Sequence, residues 1–159
     1  MDQDLISYLI SITQNTGVFK DHEIKVLDEV LSAAVNGPES GYILLTEESS
    51  GEITGFTVFG RTSCTDMTWD MFWLVVANEK QGKGIAKKLL ERAEKYVLSV
   101  DRFPVFRVET SSRNDYARAR AFYDKSGFLR SGTIPDFYAK DDDLIIYYKK
   151  PGIGATAEE

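Results

Sequence analysis

The stretch Leu74-Val75-Val76-Ala77-Asn78-Glu79-Lys80-Gln81-Gly82-Lys83-Gly84-Ile85-Ala86-Lys87-Lys88-Leu89-Leu90 breaks an apolar run with a glycine-bearing turn and restarts it with helical periodicity. The first part reads as a buried strand. Ile85, Leu89, Ala93 and Tyr96, with Ala86, Leu90 and Val97, then form the apolar stripe of an amphipathic helix. Gly82 and Gly84 carry no Cβ, so the backbone between strand and helix can turn sharply and bring its N–H groups against a ligand. Free amides and the positive end of the helix dipole converge at that turn, where the dipole alone makes an anionic contact worth roughly 0.3–1 kcal/mol. The spacing therefore predicts a strand, a turn that binds a phosphorylated ligand, and a helix.

The turn is neither GxxxxGK[ST] nor GxGxxG followed by an acidic residue on the next strand, which removes the main support for ATP and dinucleotide readings. Gln81-Gly82-Lys83-Gly84-Ile85-Ala86 instead fits Q/R-x-x-G-x-G/A and so resembles the pyrophosphate loop of the GNAT superfamily of N-acetyltransferases. A second segment, Asn114-Asp115-Tyr116-Ala117-Arg118-Ala119-Arg120-Ala121-Phe122-Tyr123-Asp124-Lys125-Ser126-Gly127-Phe128, reads as one helix. Asn114 is its expected N-cap, Asp115 lies in the first turn where negative charge is favoured, and Gly127 is the stop. This segment also resembles the asparagine-led helix with a Phe-Tyr pair and a Gly-Phe end found in many GNAT members. There the helix flanks the pantetheine arm and the tyrosine lies near the departing thiolate.

The rest of the chain fits that resemblance. At 159 residues it is about one domain, expected over 1–150 with 151–159 as a loose tail. Helices are expected at 3–13 and after Asp21 as cap, the second with Ile24, Leu27, Leu31 and Ala34 as its buried stripe and Asn36-Gly37-Pro38 as its end. A hairpin follows at 41–47 and 53–60, turning at Glu48-Ser49-Ser50-Gly51. Further strands are expected at 67–77, 104–110, 128–134 and 143–149, with helices at 83–99 and 115–126. The resemblance implies an α/β (α+β) GNAT fold. Its central sheet would be mixed, mostly antiparallel and six- to seven-stranded, with a V-shaped splay and about four flanking helices.

Composition excludes several classes. With 19 basic and 25 acidic residues the net charge is −6, which disfavours nucleic acid and mildly favours a cationic partner. The single Cys64 excludes an internal disulfide and suits a reducing compartment. With no cluster of His and Cys, no metal is expected. No apolar run approaches the roughly 18 residues of a membrane span, and Met1-Asp2-Gln3-Asp4 lacks the basic start of a signal peptide, so a cytoplasmic location is the default expectation.

The resemblance implies acetyl-CoA as cosubstrate and a primary amine as acceptor. Leu74, Val75 and Val76 would offer backbone hydrogen bonds to pantetheine. Gln81, Gly82, Lys83, Gly84, Ile85 and Ala86 would hold pyrophosphate, and Asn114, Ala121 and Phe122 would line the far wall. Ala77-Asn78 replaces a proline-containing turn of many relatives, a departure expected to loosen the loop entry. Lys83, Lys87 and Lys88 either reach the phosphates or form a solvated helix face.

Direct attack by an amine needs its proton removed, and the leaving thiolate needs a proton or hydrogen bond. Tyr123 takes the second role by resemblance; outside the motif, a tyrosine beside Phe122 would read as core. Asp70, on an apolar strand and at the offset of the base glutamate in the histone-acetyltransferase branch, is the favoured base, with Glu109 as alternative. Either carboxylate can instead pair with Arg107 or Arg113 to hold the sheet. His22 reads as a surface or capping residue and Cys64 as a structural thiol.

Gly132 to Asp143, with Pro135-Asp136-Phe137-Tyr138-Ala139 and the acids Asp141, Asp142 and Asp143, is expected to connect the last two strands. It resembles a segment of some bacterial and archaeal GNAT proteins, a likeness that supplies no acceptor. It reads either as a clamp for a cationic amine or as a solvated turn. Trp69, Trp73 and Tyr42 read as acceptor slot or as core. Two other functions use the same features: an acyl-CoA sensor that binds without turnover, and a scaffold that dimerises through a strand edge.

Overall fold

The computed structural model describes residues 1–152. Helices α1 (Asp2–Asn15) and α2 (Asp21–Ala34) precede strands β1 (Ile43–Ser49), β2 (Glu52–Arg61) and β3 (Thr68–Val76). Helix α3 (Ile85–Val100), β4 (Val105–Ser111), α4 (Ala117–Lys125), β5 (Leu129–Ala139) and β6 (Asp142–Lys149) complete the order. The strands form one sheet in the order β1-β2-β3-β4-β6-β5, antiparallel except for the parallel β3–β4 pair. This is the mixed, mostly antiparallel six-stranded sheet with four helices that the resemblance implied.

Apolar periodicity decides which face each helix covers. Ile6, Leu9 and Ile12 of α1 and Leu27 and Leu31 of α2 bury against Phe56, Val58 and Val75 on one face. On the other, Leu90, Ala93 and Val97 of α3 and Tyr123 of α4 pack with Phe59, Trp69, Met71 and Phe106. Strand β3 changes parity between these layers. The ladder passes from Val58↔Trp73 to Phe59↔Met71, so Phe72 is an extra residue. Trp69 and Met71 point to the α3 face, while Trp73 and Val75 point to the α1–α2 face.

The parallel β3–β4 pairing covers only Thr68↔Val105, Trp69↔Phe106 and Asp70↔Arg107. Beyond Asp70 the strands part, and β4 continues with β6 through Ser111↔Leu144. This is the V-shaped splay, and it leaves one edge of β3 without a backbone partner from Met71 onward.

Several local expectations change. Asp21 is the first helical residue of α2, not its cap; the cap is Lys20, whose backbone N–H donates to Glu23 Oε2 at 2.7 Å. Asn114 does not cap α4, because Asn114–Tyr116 form a separate 3-10 turn and no side chain caps either element. The longest departure is β5, which runs to Ala139, so most of the expected 132–143 connection is strand and the chain reverses at Lys140-Asp141. The hairpin turn is at Ser50-Gly51, both with positive φ, as a two-residue turn between twisted strands requires. Pro151 is buried; of the expected tail, 153–159 lies outside the described residues. Among the described residues no helix is long and apolar enough to cross a membrane, and no group of three or more His, Cys, Asp or Glu is placed to hold a metal ion.

Candidate active site

The splay opens into a groove of about 850 Å³ between α3 and α4. Its floor is Leu74, Val75 and Val76. Gln81, Gly82, Gly84, Ile85 and Ala86 line one end, and Ala121, Phe122 and Tyr123 line the opposite wall. Two expected contacts are missing from this lining: Lys83, and Asn114, whose place is taken by Asp115, Tyr116 and Arg118. Lys87 lines the groove, whereas Lys88 reaches across to Glu47 at 3.9 Å.

The glycine turn has the conformation its composition requires. Gly82 and Gly84 have φ of 77° and 80°, in the left-handed region that glycine enters without a steric penalty. A Cβ at Gly84 would meet nothing within 4 Å, so the need is for backbone conformation and an open approach, not for internal space. The N-terminus of α3 has no side-chain cap, which leaves its first amides free to face an anion. Gln81 latches the turn: its Nε2–H donates to the Val76 carbonyl at 3.2 Å, and its Oε1 accepts from Arg118 Nη1 at 2.7 Å. Asn78 ties the loop entry down by donating from Nδ2 to the Asn15 carbonyl, so the loosening expected of Ala77-Asn78 is offset.

Helix α4 ends in a hydrogen-bonding pattern that places Tyr123. The Phe128 N–H donates to the Tyr123 carbonyl at 3.1 Å and Gly127 N–H to the Asp124 carbonyl at 3.5 Å, with Gly127 at φ 87°. This is a Schellman end, and its usual apolar contact is here the Tyr123–Phe128 ring pair at 5.4 Å. Tyr123 is 7% exposed, and its hydroxyl has no hydrogen-bond partner among the described residues. Burial, then the neighbouring Tyr147, pushes the phenol far above its usual range, so it stays protonated as a donor.

Asp70 and Glu109 lie elsewhere. Both line a second, smaller cavity with Met71, Phe72, Arg107 and Tyr138 at the apex of the splay, and neither lines the groove that holds Tyr123. Asp70 accepts from Arg107 Nε at 2.6 Å and Nη2 at 3.0 Å, and from Thr62 Oγ1 at 2.7 Å. The sheet-holding pair weighed for this carboxylate is thus present. Glu109 keeps only a 3.7 Å contact to Arg107 and is 41% exposed at its side chain.

Sequence reading missed Val18 and Phe19, which reach the groove from the α1–α2 loop, and Tyr116 and Arg118 on its far wall. Phe19 stacks near Trp73 at 5.1 Å and Tyr116 at 6.1 Å, a cluster whose members come from three distant parts of the chain. Arg118 had a sequence signal, since it follows Asn114 by one helical turn within the second motif. Trp69 is core, with its Nε1–H donated to Asp101 at 2.8 Å. Tyr42 packs on Phe72 at 5.6 Å.

The family model of the acetyltransferase (GNAT) domain matches residues 38–130, from before β1 into β5, and so takes in both arms of the splay. A GNAT-family protein from Desulfovibrio desulfuricans superposes with a TM-score of 0.87 at 27% identity, over 92% of each chain. An aminoglycoside 6′-N-acetyltransferase complexed with coenzyme A shares the fold at a TM-score of 0.73 and 18% identity, over 94% of this chain and 92% of that one. The ribosomal-protein-alanine N-acetyltransferase of Brucella melitensis does so at 0.74 and 19%, over 94% and 96%. No curated protein matches by sequence. A splayed β3–β4 pair, a glycine turn opening α3 and a family match over more than half of the length lead to one conclusion: the chain belongs to the GNAT acetyltransferase family.

Proposed function

We propose that the protein transfers an acetyl group from acetyl-CoA to a primary amine by direct attack within a ternary complex. The observation that carries this reading is the groove itself, where an unpaired strand edge runs to an uncapped helix N-terminus past a buried phenol with no hydrogen-bond partner among the described residues. The β3 edge would hydrogen-bond the pantetheine amides, and the amides at Gly82–Ala86 would take the pyrophosphate. Arg118, 3.6 Å from where a Gly82 Cβ would stand, adds a cation beside them. Coenzyme A in a structural neighbour supports the fit.

At pH 7 an amine of pKa about 10.4 is nucleophilic in roughly a few parts in ten thousand, so a proton acceptor is needed. Glu109 suits this role better than Asp70, because Asp70 already accepts hydrogen bonds from Arg107 and Thr62 at both oxygens. Asp70 is then a positioning residue that anchors Arg107 beside Glu109. The ammonium first gives one proton to solvent; as the neutral nitrogen then bonds to the acetyl carbon, its second proton passes to Glu109. The C–S bond breaks, the sulfur receives a proton from Tyr123, and solvent reprotonates the phenolate while Glu109 releases its proton.

The experiment is a thiol-release assay with acetyl-CoA and a panel of amines, beside a thermal-shift titration with CoA. Turnover with an amine is the expected result. A CoA shift without turnover on any amine would leave a binding module in place of the enzyme, and no CoA shift would overturn the groove assignment.

A further inference from the structure

The apolar core beneath α1 and α2 draws on β1, β2 and β3 and on no residue of β4, β5 or β6. Along β4 and β6, Phe106, Val108, Ile145 and Tyr147 belong to the core on the α3–α4 side. Arg107, Glu109, Ile146 and Tyr148 alternate with them and so point to the opposite face, which has no helix layer of its own. Strand β5 extends this bare face, since Leu129 pairs with Tyr148, Gly132 with Ile146 and Ile134 with Leu144. Ala139 next pairs with Asp142, so the four residues Pro135–Tyr138 bulge out of the ladder and carry Tyr138 to the small cavity beside Phe72.

What this face exposes is apolar. Strand β5 shows four large apolar side chains to solvent, and no other element among the described residues shows more than two. Phe137 is 52% and Phe72 44% exposed, with Leu129, Ile134 and Tyr138 between those values. Phe72 and Tyr138 line the same cavity, the Phe137 and Tyr138 rings lie 5.1 Å apart, and Ile134 and Leu129 continue the patch along the strand. An aromatic side chain can bury roughly 150–250 Å² and an aliphatic one somewhat less, so five at half exposure present on the order of 500 Å². The largest apolar patch of a monomer is typically about 300–600 Å², and a stable dimer buries about 800 Å² per partner, the remainder being a polar rim.

The rim suits a second copy of this chain. The Leu129 end of the β5–β6 hairpin carries Arg130 and Lys150, and its turn end carries Asp136, Asp141 and Asp143, with Lys140 the one cation among them. A two-fold axis across β5 runs the two strands antiparallel and lays the basic end of each hairpin on the acidic end of the other. That match counts in a chain of net charge −6, whose copies otherwise repel. The outer edge of β5 is open to the same partner, whereas β1 at the opposite edge is closed by Arg92, which donates to the Thr46 carbonyl and to Glu47 at 3.1 Å.

We propose that the protein is a two-fold dimer in solution, joined along β5 through its outer edge and its bare face. Leu129 and Arg130 of the partner subunit then lie over Phe137 and Tyr138 at the mouth of the small cavity, so each cavity is closed by the other copy. The dimer stands without the acetyltransfer reading; together with it, the acceptor reaches Glu109 past a second subunit.

Sedimentation velocity and light scattering on the full chain, over a range of micromolar concentrations and with no substrate present, test this. The expected species has twice the monomer mass. Ile134→Lys and Leu129→Lys, both at exposed positions, are each expected to weaken it about 30-fold, as for a central interface residue, while circular dichroism shows the fold retained. Arg130→Glu weakens it about tenfold, and adding Asp141→Arg restores it. A monomer at every concentration, with the patch left to an unlike partner, overturns the proposal. So does a dimer that survives both lysine variants, or a charge-reversed pair no tighter than Arg130→Glu alone. Thiol release decides the acetyltransfer reading separately, and its failure leaves these masses unchanged.

Discussion

Asp70 and Glu109 differ in what already touches them, and that difference separates their roles. Glu109→Gln is expected to lower kcat by 10²–10⁴-fold, the range for loss of a general base, with the KM for acetyl-CoA unchanged; steady-state kinetics over both substrates measures this. Asp70→Asn leaves Arg107 without its charged partner. Because the Arg107 side chain is 39% exposed, the expected loss is about 1–2 kcal/mol, below that for a fully buried pair, and is read from urea denaturation. Tyr123→Phe removes a hydroxyl with no partner among the described residues, so the fold should hold its melting temperature while kcat falls about tenfold or more. A carboxylate in an apolar strand was legible as an anomaly at Asp70. That Arg107 answers it was only an alternative, because the pairing depends on where β3 and β4 stop running together.

The glycines of the strand–helix unit act through two different mechanisms. At Gly84 the space is open but φ is 80°, so Gly84→Ala should cost about 1–2 kcal/mol of backbone strain and weaken CoA binding, checked by thermal shift with and without CoA. Gly55 is the reverse: its φ is ordinary, but a Cβ would stand 2.8 Å from the Val75 carbonyl and 3.1 Å from Ile85. Gly55→Ala should push α3 away from β2, at about 1–3 kcal/mol, and disturb CoA binding from the opposite side of the strand. The α3 stripe, the glycine turn and the Gly127 stop were legible because each is specified by residues within a few positions. The Phe72 bulge and the extension of β5 to Ala139 were not, because ladder register is set by the partner strand.

Across the molecule, four of the eight tyrosines, Tyr8, Tyr116, Tyr123 and Tyr138, have phenols raised by burial first and nearby carboxylates or tyrosine second. The unfolded chain ionises near pH 10 and the folded chain later, so the unfolded state gains relative stability as pH rises past 10. Stability from these groups is therefore full below about pH 10. For Tyr138 it is lost as pH rises towards about 12. Urea midpoints should fall over that window, and part of the phenolate absorbance should appear only on unfolding. A midpoint unchanged to pH 12 would contradict the burial of these rings.

Local chemistry was enough to specify the helical stripes, the hairpin turn, the glycine turn and the Gly127 stop, since periodicity and glycine conformations act over short separations, whereas the expected caps Asp21 and Asn114 did not hold. Their assembly into one groove depended on where β3 and β4 part, on the α1–α2 loop reaching Tyr116, and on the four-residue bulge of β5. Those features bring together side chains far apart in the chain, such as Asp70 with Arg107 and Tyr138 with Glu109. Their energies come from burial and charge pairing that exist only once the sheet has closed.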